Sequence, residues 1–238
     1  MITSNDREYK LIKLIKQGKS TIDNDFKPLA HWIDNEYNVQ TMNILYDIID
    51  TYEKNVPRLE IIFEFENDRE KFRNDPQNHF NYNPEKQTAI ANQFKKLVSN
   101  VILPKKKGLL SFLRRNRSKY KTPGLFVVFS VFKPIAIEEV YSNVSREQIR
   151  GLKKQIGNKE IWEIISGFSS AVFFFFTDAQ VEENKRNGVQ EELAARYFDL
   201  LKPYDEFNYI KKECFSISLD RKENFDNNYQ SNWYYYFK

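Results

Sequence analysis

Two stretches of this chain read in one frame, and that correspondence constrains the fold more than any single motif does. Between Ile61 and Tyr82 the sequence is IIFEFENDREKFRNDPQNHFNY, and between Cys214 and Phe237 it is CFSISLDRKENFDNNYQSNWYYYF. Each begins with apolar residues at alternate positions, passes through Asp-Arg to a Phe and several amides, and closes on aromatics. At a displacement of 152 residues, YDIIDTYE at 46–53 falls on FDLLKPYD at 198–205, Phe63 on Phe215, Asp68 on Asp220 and Arg69 on Arg221. One inserted residue then brings Phe72 onto Phe225, Gln77 onto Gln230, Phe80 onto Trp233 and Tyr82 onto Tyr235. Self-similarity at a fixed displacement marks a repeated unit. It predicts an α+β fold of two similar helix/antiparallel-sheet halves, each containing a duplicated helix–strand–turn–strand unit and joined by a basic segment. The competing reading is that any two helix–strand units in an Asn- and Phe-rich chain look alike.

Local patterns fill in the halves. Asn5–Gln17 reads as a helix with Asn5 and Glu8 spaced as a capping box and Gly18 as its stop. Met42, Leu45, Tyr46, Ile49 and Tyr52 recur at spacings of three and four, which predicts a helix over Val39–Lys54 ended by Pro57. Leu59, Ile61, Phe63 and Phe65 alternate with Glu60, Glu64 and Glu66 as a strand. Asn83 and Pro84 open a helix carrying Ile90, Phe94, Leu97 and Val98. LFVVFSVF at 125–132 is a strand covered on both faces, and SREQIRGLKKQI from Ser145 is a helix. Ile161–Ile165 and Ala171–Phe176 form a strand pair. A long helix follows with Val189, Leu193, Tyr197 and Leu201 inward, and Pro203 kinks or ends it. Phe215, Ile217 and Leu219 alternate as a strand, DRKENFDNNYQSN is a polar turn, and Trp233–Phe237 returns as the last strand. The boundaries fall as an N-terminal half at 1–103, a basic connector at 104–124 and a C-terminal half at 125–238.

Charge divides the chain unevenly. From Lys86 to Ile137 there are 12 Lys or Arg and no Asp or Glu, whereas the remainder carries 25 basic against 33 acidic residues. Lys105, Lys106, Lys107, Arg114, Arg115 and Arg117 cluster in the connector. Clustered cations can displace counterions from a nucleic-acid backbone, so a nucleic-acid-associated protein is the alternative functional reading. The same cluster suits an anionic membrane surface, or a solvated connector lying on acidic halves. The single cysteine, Cys214, excludes an intrachain disulfide. The polar start and the lack of a long apolar run predict a cytoplasmic protein without a transmembrane segment.

Signals for catalysis are weak. The two histidines, His31 and His79, stand far apart, no phosphate-binding glycine loop occurs, and Cys214 falls in a predicted strand as a structural thiol. Glu182–Glu183 and Glu191–Glu192 read as a solvated helix face. The chain is therefore expected to be non-catalytic, without cofactor or metal. Its most specific feature is the closing block, where Trp and Tyr supply amphipathic rings suited to interfaces. The candidate partner-binding residues are Asp220, Lys222, Glu223, Asp226, Trp233 and Tyr235, together with whichever of Trp233–Tyr236 face outward.

The order of these elements in the C-terminal half resembles the YezG-like family of bacterial immunity proteins. The matching stretches are IWEIISGFSSAVFFFF with Trp162, the helix ending YFDLLKPYDEF, SISLDRKENF with Asp220 and Phe225, and NWYYYF with Tyr235. In place of the family's usual Asp-Gly, the turn carries Lys222 and Glu223. The resemblance covers about 145–238 and implies a cytoplasmic antitoxin-like protein that binds and neutralises a bacterial toxin. Such targets are often nucleases with a basic face, for which the 17 acidic and 14 basic residues from Glu138 onward offer mild complementarity.

Overall fold

Alternating apolar residues at 42–48 and 57–63 pair as a hairpin, which belongs to the first of two units, Met1–Lys133 and Pro134–Lys238. The computed structural model describes residues 3–50, 55–75, 81–99, 118–167 and 169–238. In the first unit α1 (Arg7–Lys16) and α2 (Lys27–Tyr37) precede β1 (Thr41–Asp50) and β2 (Asn55–Phe63), and α3 (Glu66–Glu70) and α4 (Pro84–Val98) lead to β3 (Phe126–Val131). β1 and β2 are antiparallel, and β3 joins β2 in parallel. α5 (Phe132–Ser142) begins at the end of the first unit and continues into the second, where it and α6 (Arg146–Ile156) precede β4 (Ile161–Gly167) and β5 (Ser170–Phe175). α7 (Asp178–Arg186) and α8 (Val189–Leu201) lead to β6 (Ser218–Arg221), followed by α9 (Lys222–Tyr229) and α10 (Trp233–Tyr236). Again the hairpin is antiparallel and the third strand parallel. The α+β class holds, and each three-stranded sheet is mixed rather than wholly antiparallel.

The two units share more than element order. Each hairpin carries a bulge near the start of its first strand, between Thr41 and Asn43 and between Ile161 and Glu163. Each third strand passes directly into a helix whose first turn is tied back to the chain beyond the second strand, Lys133 N–H to Glu64 O at 3.1 Å and Glu223 N–H to Phe176 O at 3.2 Å. In each, a glutamine of the preceding helix donates to a carbonyl at the third strand or just before it, Gln87 to Val127 O at 2.6 Å and Gln190 to Ile217 O at 2.8 Å. Phe63 thus corresponds to Phe175 and Lys133 to Glu223, which no single displacement can satisfy.

The register read from the sequence is therefore corrected. At that displacement 46–53 is laid on 198–205, yet Tyr46–Asp50 is strand while Phe198–Leu201 is helix. Phe72 packs with Phe63 and Phe129 on the core face of its sheet, whereas Phe225 packs with Trp162 and Trp233, and Trp233 with Phe174, on the face opposite the core of the other. The predicted helix at 39–54 is overturned because its apolar residues satisfy both periods. Ile44 and Tyr46 alternate toward the core, and Ile61 and Leu59 stand opposite them on β2. Pro57 lies inside β2, one residue before its ladder with β3 begins at Arg58, where a missing donor is tolerated. LFVVFSVF completes the first unit's sheet, not the C-terminal half's, and turns into helix at Phe132. Of the expected second strand around HFNY, residues 79 and 80 lie outside the described residues, and Tyr82 forms a bridge with Arg73.

Helices with clear boundary chemistry form where expected. Asn83 accepts from Lys86 N–H at 3.0 Å, and Ser145 and Gln148 complete a reciprocal capping box. Gly157 ends α6 with φ of 69°, where a side chain would be strained. α1 differs, since Asp6 and not Asn5 stands at its N-cap position.

One core joins α2 and α4 to the sheet of the first unit through Leu29, Ile33, Ile61, Phe63, Phe72, Ile90 and Phe94. The other joins α5, α6 and α8 to the second sheet through Tyr141, Leu152, Ile164, Phe173, Phe175, Leu193 and Tyr197. Burial, with Tyr197 adding to it, pushes the Tyr141 phenol up to about 12, and burial raises Tyr197 although it donates to Ser166 Oγ at 2.5 Å. Unfolded tyrosines ionise near pH ~10, so these groups contribute stability that is complete below that pH and is lost as pH rises toward the folded value. Urea titrations from neutral pH to about pH 11 should show stability falling by on the order of 1 kcal/mol per pH unit once past ~10, and Tyr141→Phe should flatten that fall.

Candidate functional site

The closing block is helical, and this is the largest departure from expectation. DRKENFDNNYQSN contains α9 instead of a polar turn, and Trp233–Tyr236 is a helix instead of a strand. Its amides and acids, ordinarily turn formers, bond along the helix. Asn224 donates to both Asp220 oxygens at 3.1 and 2.9 Å, Asn228 to Asn224 Oδ1 at 2.8 Å, and Lys222 pairs with Asp226. Phe225, 4% exposed, is the apolar anchor of α9, and Asn232 opens α10 by accepting from Tyr234 N–H at 2.9 Å.

These two helices close the second sheet on the face opposite its core. Trp162 and Phe174, on adjacent strands, meet edge to face with centroids 5.9 Å apart. Trp233 stacks on Phe225 at 4.0 Å and lies 5.8 Å from Trp162 with their planes 11° apart, while Tyr236 meets Phe174 at 5.2 Å. Lys222 Nζ sits 5.3 Å above the Trp162 ring.

A polar ring borders the stack. Asp220 accepts from Tyr236 OH at 2.5 Å and from Arg221 N–H at 2.8 Å, besides Asn224. Burial, reinforced by the Asp220 carboxylate, raises the Tyr236 phenol well above its ordinary value and keeps it a neutral donor. Arg221 Nε lies 2.7 Å from Asp178 Oδ1, an ion pair in which that N–H is not aligned as a hydrogen bond. Glu223 Oε2 accepts from Asp178 N–H at 2.9 Å at the start of α7, and Asp226 Oδ1 accepts from Ser231 at 2.6 Å. Bonds from Lys222 and Ser231 hold the Asp226 carboxyl below the usual range.

Of the six expected partner-binding residues, Asp220, Lys222, Glu223, Asp226 and Trp233 are thus brought together as scaffold. Tyr235 faces outward, 48% exposed, beside Tyr234 at 67% and Phe237 at 45%. Tyr234 and Tyr235 rings meet at 5.7 Å, and Lys238 Nζ lies 5.7 Å over Tyr234. Phe237 is not among the expected residues; the helical turn ending at Phe237 sets Trp233 and Tyr236 inward and leaves Tyr234, Tyr235 and Phe237 outward, whereas a strand would have put Trp233 and Tyr235 on one face.

The basic residues Lys105, Lys106, Lys107, Arg114, Arg115 and Arg117 lie outside the described residues. The chain that follows them is tied down: Lys119 Nζ and Tyr120 OH both reach Asp25 Oδ2, at 2.5 and 2.8 Å, and Lys121 N–H donates to Tyr46 OH at 2.8 Å. Glu182 and Glu192 pair with Lys185 and Arg196 on exposed helix faces. Cys214 is exposed in a short 3-10 turn and not in a strand. Among the described residues no group of three His, Cys, Asp or Glu is placed to hold a metal ion, and no helix is long and apolar enough to cross a membrane.

Architecture therefore defines an α+β protein of two like-ordered units, one of which bears an exposed aromatic surface. No known protein family, curated protein or solved structure matches the chain.

Proposed function

We propose that this is a non-catalytic protein-binding module of the immunity or antitoxin kind, which docks a partner protein, a bacterial toxin, on the outward rings of α10. The observation that carries the reading is the run of three exposed aromatics, Tyr234, Tyr235 and Phe237, mounted on a closed aromatic stack. Tyr is an effective interface anchor because it offers a large amphipathic surface for few rotatable bonds. A rigid base lowers the ordering cost of binding. The resemblance of 145–238 to immunity proteins supports the toxin as partner, and the mild acidic excess of that half would steer it to a basic face.

The test is co-expression with the product of the adjacent coding sequence, followed by co-purification and a growth-protection assay. Tyr234→Ala with Tyr235→Ala should weaken the complex by about 2 kcal/mol or more, the scale of a hot spot. Its thermal unfolding should match the parent's, since both rings are exposed. An undiminished complex in the double variant would remove α10 from the interface, and absence of both complex and protection would reject the immunity reading.

A further inference from the structure

We propose that the second unit holds a further, separate site, a cleft for a small neutral aromatic molecule that carries an N–H or O–H donor. The cleft lies between α8 and the chain that leads into β6, and encloses about 390 Å³, within the range of small-ligand pockets. α8 packs on the core side of the second sheet, whereas α10 lies on the opposite face, so the cleft is distinct from the exposed aromatic surface.

The walls select an aromatic body. Gln190, Ala194 and Phe198 stand at successive turns on one face of α8 and line the cleft. The methyl of Ala194, with that of Ala195 beside it, leaves room between the amide and the ring. From the other wall Phe215 meets Phe198 at 5.7 Å with the planes 61° apart, and lies parallel to Tyr197 at 6.4 Å. Phe198 and Phe215 are both partly buried. Two rings at that angle offer a third ring both a face and an edge, the arrangements that aromatic pairs prefer.

The polar groups decide its charge and its donor. Glu191 and Lys212, the charged residues of the lining, are of opposite sign, so the cleft presents no net charge to an ion. Gln190 Nε2 donates to Ile217 O at 2.8 Å. A carbonyl oxygen can only accept, so this bond settles which end of the amide faces Ile217 and leaves Gln190 Oε1 as an oriented acceptor. That oxygen has no partner among the described residues and is not sealed from solvent. One acceptor at a fixed point in a mainly apolar wall is the kind of group that orients a ligand and distinguishes it from an analogue lacking the donor.

The experiment is a titration of the isotope-labelled full chain with indole, 1-methylindole, cyclohexanol, benzoate and benzylamine, followed by amide NMR shifts. Indole should shift amides within 190–198 and 212–217. 1-Methylindole, which keeps the rings and loses the donor, should bind several-fold more weakly, as the loss of one hydrogen bond implies. Cyclohexanol, which keeps a donor without a ring, and the two ions should also bind more weakly than indole. Ala195→Leu should fill the cleft and abolish the indole shifts with little change in melting temperature, since Ala195 is only half-buried. If that variant unfolds, the comparison of indole with 1-methylindole on the parent chain decides alone. Absence of indole shifts in those segments, equal binding of any of the other four probes, or unchanged indole binding in a folded Ala195→Leu would overturn the proposal.

Discussion

Phe225→Ala is expected to destabilise the second unit by about 3–5 kcal/mol, the usual cost of truncating a buried phenylalanine. Its ring is buried, stacked on Trp233 at 4.0 Å, and 5.5 Å from Trp162. With the ring gone, α9 and α10 lose their main apolar anchor on the sheet. Urea unfolding reads the stability, and circular dichroism reads the coupling of the two indoles, which lie 5.8 Å apart and nearly parallel. Both should fall together. A variant that keeps the indole coupling and loses less than ~1 kcal/mol would show that the outer aromatics do not rest on this stack, and the docking proposal would lose its rigid base.

An effect of similar size, about 3–5 kcal/mol, is expected for Phe72→Ala in the first unit. Phe72 is fully buried and meets Phe129 at 4.4 Å, Phe63 at 5.2 Å and Tyr37 at 5.0 Å. It follows α3 directly and joins α2 to the core face of the sheet, so a cavity there opens where two layers meet. Phe72→Leu should cost less than ~1.5 kcal/mol. Trp32, which packs on Tyr37 at 5.8 Å, reports the change by fluorescence. Equal stability of the alanine and leucine variants would mean that the site collapses without a cavity.

The candidate site was legible in composition and illegible in geometry. Aromatics gathered at 233–237 stand out in the sequence, as do the acids and amides before them. Their division into scaffold and surface depends on whether that segment turns by twos or by threes and fours. Asn and Asp disfavour helix interiors, so local preference points to a turn. Burial of Phe225, Trp233 and Tyr236 against Trp162 and Phe174 outweighs that preference. Those contacts join residues some sixty positions apart, beyond the reach of any local pattern.

What the sequence determined by itself was the α+β class and those elements whose ends carry their own chemistry. α4 begins at Asn83–Pro84, α6 at the Ser145 capping box, and the β4–β5 hairpin lies where its apolar run does. Tertiary structure alone decided β1, whose apolar spacing serves helix and strand equally until β2 pairs with it. It also assigned β3 to the first sheet and set the true correspondence between the units. The physical reason is common to all three: backbone pairing between strands and the face of a sheet on which a ring is buried are long-range choices, whereas caps, turns and amphipathic stripes are written within a few residues of where they act.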